Sequence, residues 1–282
     1  MIGQSIGGTP LVVKWKRGKA RRLARPACTM GAALTVTLAS AILSCALAQT
    51  DPRAEFLAGR SRDCPRCDLA GMNFKRRDLA GADLTGANLR QANLHDARLV
   101  GARLSGADLT GANLNKANLS RAELAGAVLR DAMLYAANLD GANLAGADLS
   151  DALMGVARLT RADLSKAALR NVDLRKARLA ETILAGAQLT AAALDFAFLR
   201  GARLDDASLK EARLIGAELV DASLTGADLT DANALGAQLR GADLSRAVLA
   251  GANFRRANMY ETKLDDASFG NTAMPDGTIR DR

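Results

Sequence analysis

From Ala82 to Ala267 an alanine recurs every five residues, and a leucine-type residue follows two places after each one, without a break in register. The stretch holds 38 such units, with Ala in the first place in 35 of them (Val172, Thr182 and Thr262 excepted). Leu fills the other place in 33, with Met154, Ala234, Phe254, Met259 and Phe269 in its stead. So strict a short period marks a solenoid, in which each repeat packs only on its neighbours. An α-helix cannot host it: five residues turn a helix by roughly 500°, which would smear the apolar places around every face. On a short extended segment the alanine and the leucine, here called the centre, point the same way, and the residue between them points out. That outward residue is mostly polar, as at Asp83, Asn88, Asn93 and Arg98. The two residues after the centre, as in Leu84-Thr85-Gly86, then form a corner, where glycine suits a positive φ.

Composition agrees with a narrow core. The chain is 49% hydrophobic but only 3% aromatic, so Ala and Leu must fill the interior. The formal charge of +8 misleads: seven of the 38 basic residues (Lys14, Lys16, Arg17, Lys19, Arg21, Arg22 and Arg25) precede residue 48, where no acid occurs. The rest carries 31 basic and 30 acidic residues, a net of +1, so bulk charge makes no case for nucleic-acid binding.

The first fifty residues read as an export signal. A basic region ends at Arg25, no charge follows until Asp51, and an apolar run from Ala27 to Leu47 closes with Ala46-Leu47-Ala48 before Gln49. A small-x-small site after an apolar segment predicts cleavage between Ala48 and Gln49, with residues 1–48 leaving as a signal peptide and the mature chain periplasmic or secreted. Two other readings keep a membrane contact. The run 27–47 is long enough, at about 20 residues, to stay as an N-terminal anchor. Ile42-Leu43-Ser44-Cys45 resembles a lipoprotein box with lipid on Cys45, although the leucine before Ser44 is larger than usual there. A buried helix of the fold fits the one-sided charge poorly. Only Cys64 and Cys67 then remain in the mature chain, and Cys64-Pro65-Arg66-Cys67 has neither a βαβ context for redox work nor a second pair for zinc. In an oxidising compartment the pair predicts a local disulfide that pins the first turn and adds little chain entropy.

The units Ala82-Asp83-Leu84-Thr85-Gly86, Ala107-Asp108-Leu109-Thr110-Gly111 and Ala142-Asn143-Leu144-Ala145-Gly146 resemble the A(D/N)LxX signature of the pentapeptide-repeat family, over residues 67–269. The resemblance implies an all-β solenoid, a right-handed quadrilateral β-helix with one repeat per side and about 20 residues per coil. At ~4.8 Å per coil, about ten coils make a rod on the order of 50 Å long. A faint echo of the coil is present: of 16 glycines in the second corner place between residues 71 and 251, 11 fall on two of the four sides. Around that body, residues 49–66 are expected to form an N-terminal cap, with a short helix beginning in Asp51-Pro52-Arg53-Ala54-Glu55-Phe56-Leu57-Ala58. Residues 270–282 are expected to form a C-terminal cap and tail. There Met274-Pro275-Asp276-Gly277 makes a turn, Thr278 and Ile279 fold over the last coil, and Arg280 to Arg282 fray. Ala234, a small centre beside Leu235, predicts a void or a shifted corner.

Chemistry is scarce. His95 is the only histidine and falls at a corner predicted to face solvent, with no serine or cysteine placed to make a triad. The acid pairs Asp205-Asp206 and Asp265-Asp266 have no pocket on a convex rod. With no phosphate loop and no metal-spaced His/Cys cluster, the reading is a non-enzymatic protein without a cofactor. Apolar outward residues mark candidate contact sites: Met133, Tyr135, Leu153 and Val156 in one cluster, Ile183, Phe196 and Phe198 in a second with Arg178 able to stack on Phe198, and Ile215 with Leu235 in a third. Drift in a tolerant repeat explains each cluster equally well. Arg90, Arg130, Arg170 and Lys210 recur at one corner with Asp131, Asp151, Glu211 and Asp231 beside them, which predicts a charge-paired wall.

The first functional reading is an exported scaffold or interaction rod for an unknown protein partner, with no nucleic acid and with end-to-end homodimers where a cap is thin. The second is implied by the resemblance: some family members imitate duplex DNA, bind type II topoisomerase and protect it from quinolones. Such mimicry needs a strongly negative surface, which a net charge of +1 does not supply. A binder of carbohydrate polymer would need an aromatic ladder that two tyrosines and Trp15 do not make.

Overall fold

A computed structural model describes residues 51–282. The signal peptide 1–48, its cleavage between Ala48 and Gln49, the anchor 27–47 and the lipid on Cys45 all lie outside the described residues. Within them the chain winds so that each outward residue pairs in parallel with the residue 20 places later, from Asp68 with Asn88 to Asn253 with Ala273. Each repeat gives one such bridge rather than the three-residue strand expected. The reason is the corner: the centre's carbonyl accepts from the N–H of the next alanine, as in Ala87 to Leu84 at 3.0 Å. Four of every five residues therefore belong to a turn, and only the outward residue makes a ladder bridge, although turn residues also donate across coils.

Following one repeat, Ala87 to Gln91, accounts for every backbone N–H. Ala87 closes the turn; Asn88 donates to the Cys67 carbonyl one coil back at 2.9 Å; Leu89 and Gln91 donate to Asp108 and Thr110 one coil on at 2.7 and 2.8 Å. The N–H of Arg90, at the first corner, has no backbone partner and donates to the Asn88 side chain at 3.2 Å. Asp108 does the same for Thr110 at 2.9 Å, and Asp228 for Thr230 at 3.0 Å. The outward Asp or Asn is thus chosen as a turn cap as well as a polar surface residue. Where it is lost, the coil before can lend the cap: Asn115 to Tyr135 at 2.8 Å, Asp140 to Thr160 at 3.0 Å and Asp195 to Ile215 at 3.3 Å.

Every second corner residue from Arg66 to Asn271 has a positive φ, glycine or not, which makes the corners type II turns. Val156 at 51° and Phe196 at 57° are the bulky apolar cases, and a β-branched residue there is a genuine outlier. Gly216 shows why glycine is needed at its place: a Cβ would come within 2.7 Å of the Phe196 ring, one coil before it.

Inside, the alanine and leucine stacks from Ala82 to Leu249 are almost wholly buried. Thr182, in an alanine place, is buried too, and its hydroxyl donates to the Leu159 carbonyl at 2.8 Å. Ala234 does not shift its corner. Asn233 still bridges Asn253, the turn from Ala234 to Ala237 closes at 3.1 Å, and Gly236 keeps the usual φ of 66°. The next residue in the same stack, Phe254, is larger than leucine and fully buried.

Helix α1 spans Pro52–Leu57; the Asp51 side chain accepts from the Arg53 N–H at 3.0 Å and Pro52 opens the first turn. Its Phe56 is fully buried and meets the Phe74 ring edge-on at 5.6 Å. The Arg77 guanidinium lies 4.6 Å from the Phe56 ring centre, donates to the Phe56 carbonyl, and is pushed below its ordinary pKa by burial. A disulfide joins Cys64 to Cys67, with Cα atoms 5.4 Å apart. At the other end β1 (Thr272–Ala273) pairs antiparallel with β2 (Ile279–Arg280) across the turn at Gly277. The tail is not frayed where expected: Arg280 stacks 3.8 Å from the Phe269 ring centre and Asp281 accepts from the Asn271 N–H at 2.8 Å. No helix among the described residues is long and apolar enough to cross a membrane.

Candidate interaction surface

Winding at 20 residues per coil brings together side chains that are far apart in sequence. Tyr135, Val156, Arg175, Lys176, Phe196 and Ile215 fall on one edge of the rod, where the chain turns the same corner in successive coils. Two open depressions lie along it. The first holds Tyr135, Gly155 and Val156; the second holds Phe196, Asp195, Arg213 and Ile215; Arg175 and Lys176 line both. Both rings lean on glycine. Tyr135 stands about one van der Waals contact (3.5 Å) from where a Cβ of Gly155 would be, as Phe196 overlies Gly216. Tyr135 and Phe196 are each 53% exposed, far above the buried stacks beneath them.

The expected clusters are regrouped by this geometry. Met133 and Leu153 are bridge partners on the wall beside the edge, so the first cluster holds together; Met133 is half-buried and Leu153 exposed. Phe196 does not cluster with Ile183: it shares its depression with Ile215, and Ile215 and Leu235 continue the same edge. Phe198 lies on the next wall, as bridge partner of Arg178, and lines a separate depression with Thr160 and Ala180. Ile183 is half-buried one wall further on. The cation–ring contacts among the described residues fall instead to Arg77 and Arg280. The sequence reading missed Asp195, 4% exposed beneath Phe196, and Tyr260, exposed near the last coil. An acid among apolar neighbours 18 places before an arginine was the available signal for Asp195.

Charge is paired, but not with the neighbours expected. Arg90 reaches Asp108 at 3.1 Å, Lys210 reaches Asp228 at 3.1 Å and Arg130 pairs with Asp148, all 18 places on, whereas the residue 18 places after Arg170 is the uncharged Gln188. The adjacent acids Asp131, Asp151, Glu211 and Asp231 are left out of these pairs. Burial pushes the Asp108 carboxyl up, but the Thr110 hydroxyl and N–H and then Arg90 outweigh it and hold it below the usual value. On the edge itself Arg175 holds Asp173 low by a hydrogen bond at 2.8 Å, and Arg213 binds Asp195 at 2.6 Å. His95 is half-buried rather than solvent-facing, and its Nδ1 has no partner among the described residues. No group of three His, Cys, Asp or Glu there could hold a metal ion.

The family model for pentapeptide repeats matches in eight copies, with segments running from residue 67 to 271. The chain belongs to the pentapeptide-repeat family. That membership carries the right-handed β-helical solenoid with it. HetL from Nostoc sp. strain PCC 7120, a pentapeptide-repeat protein involved in heterocyst differentiation regulation, is 32% identical; the match covers 81% of this chain and 98% of HetL with a TM-score of 0.65. QnrB1, a plasmid-mediated fluoroquinolone resistance protein, is 21% identical over 73% of this chain and 92% of its own, with a TM-score of 0.40. A pentapeptide-repeat protein of the Arabidopsis thaliana thylakoid lumen is 31% identical over 34% of this chain and 70% of its own, with a TM-score of 0.23. No curated protein matches the chain.

Proposed function

We propose that this pentapeptide-repeat protein is an exported, non-enzymatic scaffold that holds a protein partner along the edge from Tyr135 to Ile215. The observation that supports this most is the run of exposed apolar side chains there, in a repeat whose outward places are mostly polar. Rings propped on glycine lose little freedom when a partner covers them, as a rigid contact requires. Topoisomerase mimicry fits less well, because beyond residue 48 the chain carries nearly equal numbers of acids and bases, and Asp108, Asp140 and Asp195 are each paired with an arginine. The test is a triple variant, Met133→Ser with Tyr135→Ser and Leu153→Ser. Its melting temperature should stay near that of the parent while cross-linking to the partner in an envelope fraction is lost; cross-linking that persists refutes the edge. Export is tested by reporters fused after residue 60, one active only outside the cytoplasm and one only inside.

The ends of the rod bear on its other expected partner, a second copy. Helix α1 covers the first coil, and the β1–β2 hairpin covers one side of the last. The N–H groups of Met259, Leu264 and Phe269 have no acceptor among the described residues, and such an edge pairs readily with another chain. Sedimentation of the full chain separates a dimer from a monomer.

A further inference from the structure

The same edge carries a charge imbalance that names the chemistry of its occupant. Its acids are already spent, Asp173 on Arg175 and Asp195 on Arg213. Lys116, Lys176 and the adjacent pair Arg255 and Arg256 sit at the same corner in coils well separated along the rod, and make no ion pair among the described residues. The edge is therefore a line of apolar side chains with unmatched cations below, within and above it.

We propose that this edge binds an extended, acidic segment of a partner polypeptide, whose apolar side chains enter the two depressions while its carboxylates meet Lys176. The inference rests on the scaffold reading and gives it a ligand. Three observations favour an extended chain over a flat anionic surface. The two rings stand three coils apart with the Arg175–Lys176 saddle between them, so the edge is notched rather than level. Alternation suits it: with coils ~4.8 Å apart and ~3.3–3.6 Å per extended residue, about seven residues span Tyr135 to Leu235. A hydrogen-bond donor also waits there. Leu153 stands where Asp or Asn caps many other corners, so the half-buried Gly155 keeps an N–H with no acceptor among the described residues. A peptide carbonyl or carboxylate would satisfy it.

Backbone conformation gives an independent reason to think Phe196 and Val156 are kept for contact. Both hold positive φ, where glycine or asparagine would fold with less strain, and neither is buried in the core.

The experiment is fluorescence polarisation of the full chain with labelled peptides of about eight residues, alternating Glu with Leu, Gln with Leu or Lys with Leu. The Glu peptide should bind at least about tenfold more tightly than the Gln peptide, and the Lys peptide should not bind. Lys176→Glu should erase that preference. Phe196→Gly should weaken binding by about tenfold without lowering the melting temperature, since glycine accepts its φ of 57°. Equal affinity for Glu and Gln peptides, or binding indifferent to both substitutions, overturns the proposal. So does equal or tighter binding to phosphatidylglycerol vesicles or oligothymidylate, which would mark a general polyanion surface. If the peptide fails while partner cross-linking still depends on Met133, Tyr135 and Leu153, the scaffold reading stands and this ligand falls.

Discussion

Replacing Ala234 with leucine would restore the commonest centre residue of the repeat, yet it should destabilise the rod. The stack at that level runs Leu214, Ala234, Phe254, and all three are buried without a shift of the corner or the ladder. Alanine and phenylalanine together carry as many side-chain carbons as two leucines, so the small centre and the large one conserve volume across two coils. Adding leucine beside an intact Phe254 overpacks the stack at a cost of about 1–3 kcal/mol. Phe254→Leu beside an intact Ala234 removes three carbons at ~0.8 kcal/mol each and leaves a cavity, about 2–3 kcal/mol in all. The double variant has consensus leucine at both places and should return to within about 1 kcal/mol of the parent, giving a coupling of at least about 2 kcal/mol. Urea unfolding of the four proteins, with a check that the slope stays constant, measures this; a chain of this size should also lose roughly 2–4 °C of melting temperature per kcal/mol. Additive single effects, or a stabilising Ala234→Leu, would show that Phe254 does not fill the space and that a void lies beside Ala234.

Three further outcomes follow from the corners and the carboxylates. Gly146 has a φ of 65° with nothing near its missing Cβ, so Gly146→Val should cost about 1–2 kcal/mol from backbone strain alone, whereas Gly146→Asn should be nearly neutral; equal melting temperatures for the two would refute the assignment. Asp173, held low by the Arg175 hydrogen bond, and Asp243, held low by the Ser245 hydroxyl, bind a proton less readily folded than unfolded. Their contribution is complete above the unfolded carboxylate pKa near ~3.9 and is lost as pH falls through the lower folded values, so Asp173→Asn should flatten the acid limb of a stability–pH curve. For Cys64 and Cys67, intact mass of the protein purified without reductant should be two hydrogens lighter than after reduction; free thiols would contradict the bond.

Much of this architecture was readable in one dimension because the rules that set it are local. An alanine and a leucine two places apart must share a face of an extended segment, and a pair of corner residues must follow, so the period from Ala82 onward leaves few folds to choose from. The preference for Asp and Asn at Asp83 or Asn88 was visible as polarity, but its cause was not, since the N–H they cap becomes an orphan only once every other N–H has gone to the turn or to a neighbouring coil. The strand expectation failed for the same reason: cross-coil bonding and the turn claim four residues in five. Expecting Arg280 to Arg282 to fray overlooked Phe269, which lies under Arg280 only after the hairpin folds back.

Sequence alone therefore determined the repeat, its register, the buried face of the units and the place of each corner, because each depends on side-chain direction and backbone sterics within five residues. Tertiary structure decided which residues become neighbours across coils. It set Arg130 against Asp148 rather than Asp131, joined Phe196 to Ile215 rather than Ile183, and aligned Tyr135 with the saddle of Arg175 and Lys176. Those contacts depend on how far the backbone advances and turns in one whole coil, a quantity that no single repeat contains.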